Sequence, residues 1–190
     1  MQTLHFRISG VAPLLMHNGQ LANPLNPIVK QIKEITGKGK KKTDDDILSL
    51  FRLEWEGGLY FDENLGPYIP GVNVESCIRA GATFQRKGMD VVRGLQVLED
   101  KVKLEYKGPR EMQALYDAGF RDVRGVVVNG NRTMRCRPIF SEWGAAFSVA
   151  INPELLNPSD VETFVKTAGA LSGLCEYTPR FGRFESCVKK

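Results

Sequence analysis

Two histidines, His5 and His17, are the side chains of this chain best suited to moving a proton near neutral pH. His17 stands in LLMHNG, just after the first strand-like segment, and is the one candidate general acid or base. No second catalytic group is placed beside it by spacing. The chain carries no HExxH, no GxSxG, no Walker A loop and no GxGxxG after a strand. Asp44, Asp45 and Asp46 could approach a metal ion, but three carboxylates at the start of a helix are accounted for by its positive end. Cys77, Cys136, Cys175 and Cys187 are scattered, with no CxxC, and read as core thiols. No metal and no cofactor is expected.

The richer chemistry is electrostatic. In GLCEYTPRFGRFESCV, residues 173–188, Arg180 and Arg183 flank Phe181 and Gly182. Guanidinium groups bind phosphates, and Tyr177 and Phe181 offer rings on which bases stack. The alternative is a tight helix-to-strand turn with Phe181 in the core and both arginines solvated. Lys38, Lys40, Lys41 and Lys42 form a basic run, and Arg132, Arg135 and Arg137 follow the Asn129-Gly130 turn signal. Each set suits phosphate tracking. The competing readings are a solvated loop and a charged edge strand.

These groups need elements to hold them. Leu4, Phe6 and Ile8 alternate with His5, Arg7 and Ser9, which predicts a half-buried strand. Residues 20–46 have two prolines, a short helix over 27–36 and the lysine run, and read as a mobile basic insertion. DDD caps a helix through LSLFRLEWE, and GLYFDENLGPYIP reads as a hairpin. Asn73 is expected to cap the next helix, with Val74, Cys77, Ile78, Gly81 and Phe84 as its apolar stripe and Gly88 as its stop. Residues 95–106 are extended and 109–117 form a short helix; 121–140 form an arginine-bearing hairpin finger, and 145–152 another strand. The helix over 157–173 is expected to open on a Ser159/Glu162 capping box and to bury Val161, Phe164, Val165, Ala168 and Leu171. FESCV ends the chain as a strand. With the insertions removed, the order approaches βαββαβ: an α+β, ferredoxin-like or RRM-like antiparallel sheet with helices on one face.

Two segments taken together carry a resemblance. YIPGVNVESCIRAG, residues 68–81, and the terminal GLCEYTPRFGRFE resemble the paired motifs of the RAMP superfamily, the RRM-like proteins of CRISPR systems. There, an IPG segment opens a helix bearing an arginine, here Arg79, and a glycine-rich loop precedes the last strand. LLMHNG is similar to the opening of that family. The chain reads Val72-Asn73-Val74-Glu75 where the family places small polar residues and a base. More loosely, the chain is similar to stand-alone phage or prophage relatives of CRISPR backbone subunits. The resemblance implies single-stranded nucleic-acid binding, RNA ahead of DNA, with little sequence preference. It also implies self-association head to tail into a filament or ring. It implies two alternatives as well: an endoribonuclease using His17, and a mimic that binds CRISPR effector subunits.

With 190 residues, 42% hydrophobic and 25% charged, one globular domain over 1–190 is expected. Net charge is +4. No apolar run approaches a membrane span, and MQTLHFRISG lacks the basic and apolar regions of a signal peptide. A cytoplasmic protein with no membrane partner is expected.

Overall fold

A computed structural model describes residues 1–128 and 130–189. In chain order the first half holds β1 (Gln2–Gly10), β2 (Leu14–Leu15), α1 (Pro27–Gly37), α2 (Asp44–Gly58), β3 (Phe61–Asp62), β4 (Gly66–Pro70) and α3 (Gly71–Thr83). Then follow α4 (Gly88–Gly94), β5 (Leu95–Val97), β6 (Lys101–Glu105), α5 (Met112–Asp117), β7 (Arg121–Val128), β8 (Asn131–Phe140), β9 (Gly144–Ile151), α6 (Pro158–Thr167) and β10 (Phe184–Lys189). The chain divides into two compact units. One comprises residues 1–15, 61–108 and the chain from Phe140 onward; the other comprises 16–60 and 109–139.

The first unit is an antiparallel sheet of order β10-β1-β9-β6-β4-β3, with β5 also pairing β9. Leu4, Phe6 and Ile8 of β1 are buried, as the alternation requires, and Phe6 stacks on Phe147 of β9 at 5.6 Å. Val74, Cys77, Ile78 and Ala82 of α3 and Val161, Phe164 and Val165 of α6 are buried with them. The result is an α+β fold compatible with a ferredoxin-like arrangement. Gly81 lets the two helices meet: a Cβ there would lie 2.3 Å from the Phe164 carbonyl oxygen.

Several boundaries differ from expectation for local reasons. α3 begins at Gly71, so Asn73 lies inside the helix and not at its cap. The helix stops at Thr83, leaving Phe84 exposed, and Gly88 opens α4. α6 is entered from Asn157 with Pro158 in its first turn, which moves Ser159 inside the helix. A π turn over Ala168–Ser172 then shifts the stripe, so Ala168 is buried while Leu171 is exposed. Cys77 and Cys136 are buried, and burial pushes both thiols up to about 12. Cys187 is no core thiol: it pairs with Arg7 across β10 and β1 and is exposed. Thiol titration should therefore modify Cys187 at once and Cys77 and Cys136 only on unfolding. Fast reaction of Cys77 or Cys136 in the native protein would contradict this packing.

The second unit is built around Trp55, which is fully buried and donates its indole N–H to the Phe120 carbonyl at 2.7 Å. Arg52 lies over the Tyr116 ring at 4.3 Å and pairs with Glu56. Within residues 20–46 the expected short helix is present as α1, and the lysine run, expected as a mobile loop, forms a short turn. Asn26 caps α1 through the Ile28 N–H, and Pro27 sits in its first turn. A short 3-10 turn over Gly39–Lys41 follows. Thr43 then opens α2 in a capping box with Asp46, so the acidic triplet lies just inside the helix. β7 and β8 form the expected hairpin from Arg121↔Pro138 to Val128↔Asn131. Asn129 of its turn signal lies outside the described residues, while Gly130 adopts φ 80°. Among the described residues no helix is long and apolar enough to cross a membrane.

Candidate nucleic-acid interface

The terminal loop of the first unit is pinched at its base by two glycines. Gly173 (φ 82°) and Gly182 (φ 72°) take left-handed backbone, and Leu174 donates its N–H to the Gly182 carbonyl at 2.9 Å. A Cβ on Gly182 would fall 2.0 Å from the Leu174 oxygen, and one on Gly173 would fall 2.6 Å from the Phe181 oxygen. Cys175 (φ 63°) and Tyr177 (φ 60°) are also left-handed, which is uncommon for residues with side chains.

Anchors from two other segments hold this shape. Gly182 donates its N–H to Pro13 at 2.8 Å, Val11 donates to Arg183 at 2.9 Å, and Glu176 donates to Leu15 at 3.0 Å. From α3, the Cys77 thiol donates to the Gly173 carbonyl at 3.2 Å, and the Asn73 amide reaches the Cys175 sulfur at 4.0 Å. The chain after β1, the start of α3 and the terminal loop thus meet at one place. Spacing alone did not single out Asn73 and Cys77 as anchors; their i, i+4 relation on one helix face was the available signal.

Phe181 is 7% exposed and packs edge-on against Tyr177 at 5.9 Å. It is a core residue and not a stacking platform, because the pinched base of the loop turns it inward. Tyr177 is 50% exposed, and Arg180 and Arg183 are exposed. Arg79 is exposed on α3. Glu75, where the family resemblance implies a base, accepts a hydrogen bond from the Val97 N–H at 2.9 Å and secures β5.

The other predicted cations lie in the second unit. Lys38 pairs with Asp46 at 2.6 Å, holding the carboxyl of Asp46 below its ordinary range through that hydrogen bond. Lys40 and Lys41 are exposed and Lys42 is half-buried, in a tight turn between two helices and not on a long finger. Arg132 is exposed near the hairpin turn. Arg135 pairs with buried Glu54, so its charge is already committed, contrary to its expected place on a phosphate. Arg137 is half-buried, opposite Asp122 in the hairpin register. His17 is exposed, and its carbonyl accepts the Tyr60 hydroxyl at 3.3 Å. Among the described residues no group of three or more His, Cys, Asp or Glu is placed to hold a metal.

A polar sheet face in the first unit completes the inventory. Arg7 grips Glu105 with two hydrogen bonds of 2.9 and 2.8 Å, His5 contacts Ser148 at 3.0 Å, and Lys101 pairs with Asp62 while lying 5.4 Å from the Tyr68 ring. The polar half of the β1 alternation announced this face, but its partners come from distant strands. No family model matches the chain, and no curated protein matches it.

Proposed function

We propose that this is a non-catalytic protein that binds single-stranded nucleic acid, RNA ahead of DNA, through the terminal loop of an RRM-like first unit. Taking β1, α3, β6, β9, α6 and β10 in turn restores a βαββαβ order, in keeping with the RAMP resemblance. One observation carries the reading. Two separate segments, the chain after β1 and the start of α3, converge to hold a loop with left-handed backbone at four positions, and that loop puts Tyr177, Arg180 and Arg183 into solvent. The arginines bind phosphates and Tyr177 stacks on a base, so affinity depends on strand charge and little on sequence. Arg79 is a further exposed cation of the same unit; Lys40, Lys41 and Arg132 are exposed on the second unit.

The test is fluorescence anisotropy of labelled single-stranded RNA and DNA across a salt series. Arg180→Ala with Arg183→Ala should reduce the magnitude of the slope of log affinity against log salt by about 1.4, at ~0.7 per phosphate contact on a single strand. Tyr177→Ala should cost about 1–3 kcal/mol of binding with the slope unchanged. Absence of binding to either strand at low salt would remove the reading.

A further inference from the structure

β7 ends its sheet with an edge that is poorly defended. On one side every residue from Arg121 to Val128 is in register with β8; on the other side β7, the end strand of its sheet, pairs with no strand among the described residues. Edge strands are ordinarily blunted with lysine, proline, bulges or inward charges. Here the charges are confined to the first half, where Arg124 is tied to Asp122, and the sequence then runs Gly125-Val126-Val127-Val128. Val123 is 42% exposed, Val127 68% and Met134, opposite Gly125, 49%. These side chains share one face of the hairpin, because paired residues and alternate residues point the same way.

We propose that this edge is a self-association surface, in which β7 pairs antiparallel with β7 of a second copy about a two-fold axis at Gly125. The strand is self-complementary in that register. Val123 faces the partner's Val127 and Val127 faces the partner's Val123, continuing the face across four strands with the valines and Met134 at its centre and Arg132, opposite Val127, at its rim. Arg124 then faces the partner's Val126 and Asp122 faces the partner's Val128, so no like charges meet. A register centred on Arg124 would set two guanidinium groups directly opposite, which is unfavourable. Nucleic acid does not fit this edge, since valines offer neither charge nor a π-face. A two-fold contact uses the same patch on both copies and closes at a dimer. It therefore differs from the open head-to-tail stacking that the family resemblance implies.

Sedimentation velocity on the full chain, without nucleic acid and over a concentration series, tests the proposal. A reversible dimer is expected, and Val123→Lys with Val127→Lys should abolish it while keeping the far-ultraviolet circular dichroism of the wild type, because both valines are exposed. As a second arm, Gly125→Cys is made in a Cys187→Ser background. A Cβ at Gly125 meets only the Met134 sulfur, at 3.7 Å, so the cysteine fits. Directly opposed residues of antiparallel strands have Cα atoms about 4.5–5.5 Å apart, within disulfide range. Diamide, which accepts the two electrons and two protons given up by the thiols, should yield a covalent dimer from this variant and none from Cys187→Ser alone. A wild-type monomer at every concentration, a dimer indifferent to the lysines, growth beyond two copies, or no crosslink through Gly125 would each overturn the proposal.

Discussion

Gly182→Ala should cost about 2–5 kcal/mol of stability and most of the nucleic-acid affinity proposed for the terminal loop. Two terms combine. Left-handed backbone disfavours a side chain by about 1–2 kcal/mol. The added Cβ would also lie 2.0 Å from the Leu174 oxygen and 2.7 Å from its nitrogen, and these are backbone atoms that cannot swing aside. Overpacking of this kind typically costs about 1–3 kcal/mol. Relief requires the loop base to open, which breaks the bond from Leu174 to Gly182 and misplaces Tyr177, Arg180 and Arg183. Gly119→Ala is the control. It has φ 85° but nothing within 4 Å of the added methyl, so it should carry the backbone term alone. Equal melting temperatures for the two variants would show that the close approach at Gly182 is not decisive.

Glu54→Ala should destabilise the protein by about 3 kcal/mol, read from urea unfolding, with Glu54→Gln clearly milder. Glu54 is 5% exposed, accepts the Cys136 N–H at 3.0 Å and holds Arg135. Breaking a buried pair from one side costs about 3–5 kcal/mol. The partly exposed Arg135 can turn to water, which places the cost at the lower end. Glutamine keeps an acceptor for the Cys136 N–H and the shape of the side chain. The same geometry makes Arg135→Ala a stability variant whose salt slope for nucleic-acid binding stays at the wild-type value. A loss below about 1 kcal/mol for Glu54→Ala would mean that the carboxylate is dispensable to the hairpin.

Local pattern carried much of the fold. The alternation of Leu4, Phe6 and Ile8, the hairpin chemistry of FDENLG and the helical spacing of Val74, Cys77 and Ile78 each act within a few residues, so they were legible in the linear order. The ends of elements were less so. Whether Ser159 or Asn157 leads α6 depends on where the chain leaves its preceding turn, and the exposure of Leu171 on a π turn that no periodicity announces.

The sequence by itself determined which residues bring charge, rings and conformational freedom: Arg180, Arg183, Tyr177, Phe181, Gly173 and Gly182 stand within eleven positions of one another. Only the tertiary structure decided how each is used. Phe181 and Tyr177 are both aromatic residues of one loop, yet one is buried and the other open. Arg135 and Arg132 share a strand, yet one is held by Glu54, 81 residues away, and the other is exposed. The physical reason is the same in each case. A side chain's availability depends on the groups that fold against it, and those groups come from segments whose separation along the chain conceals their proximity in space.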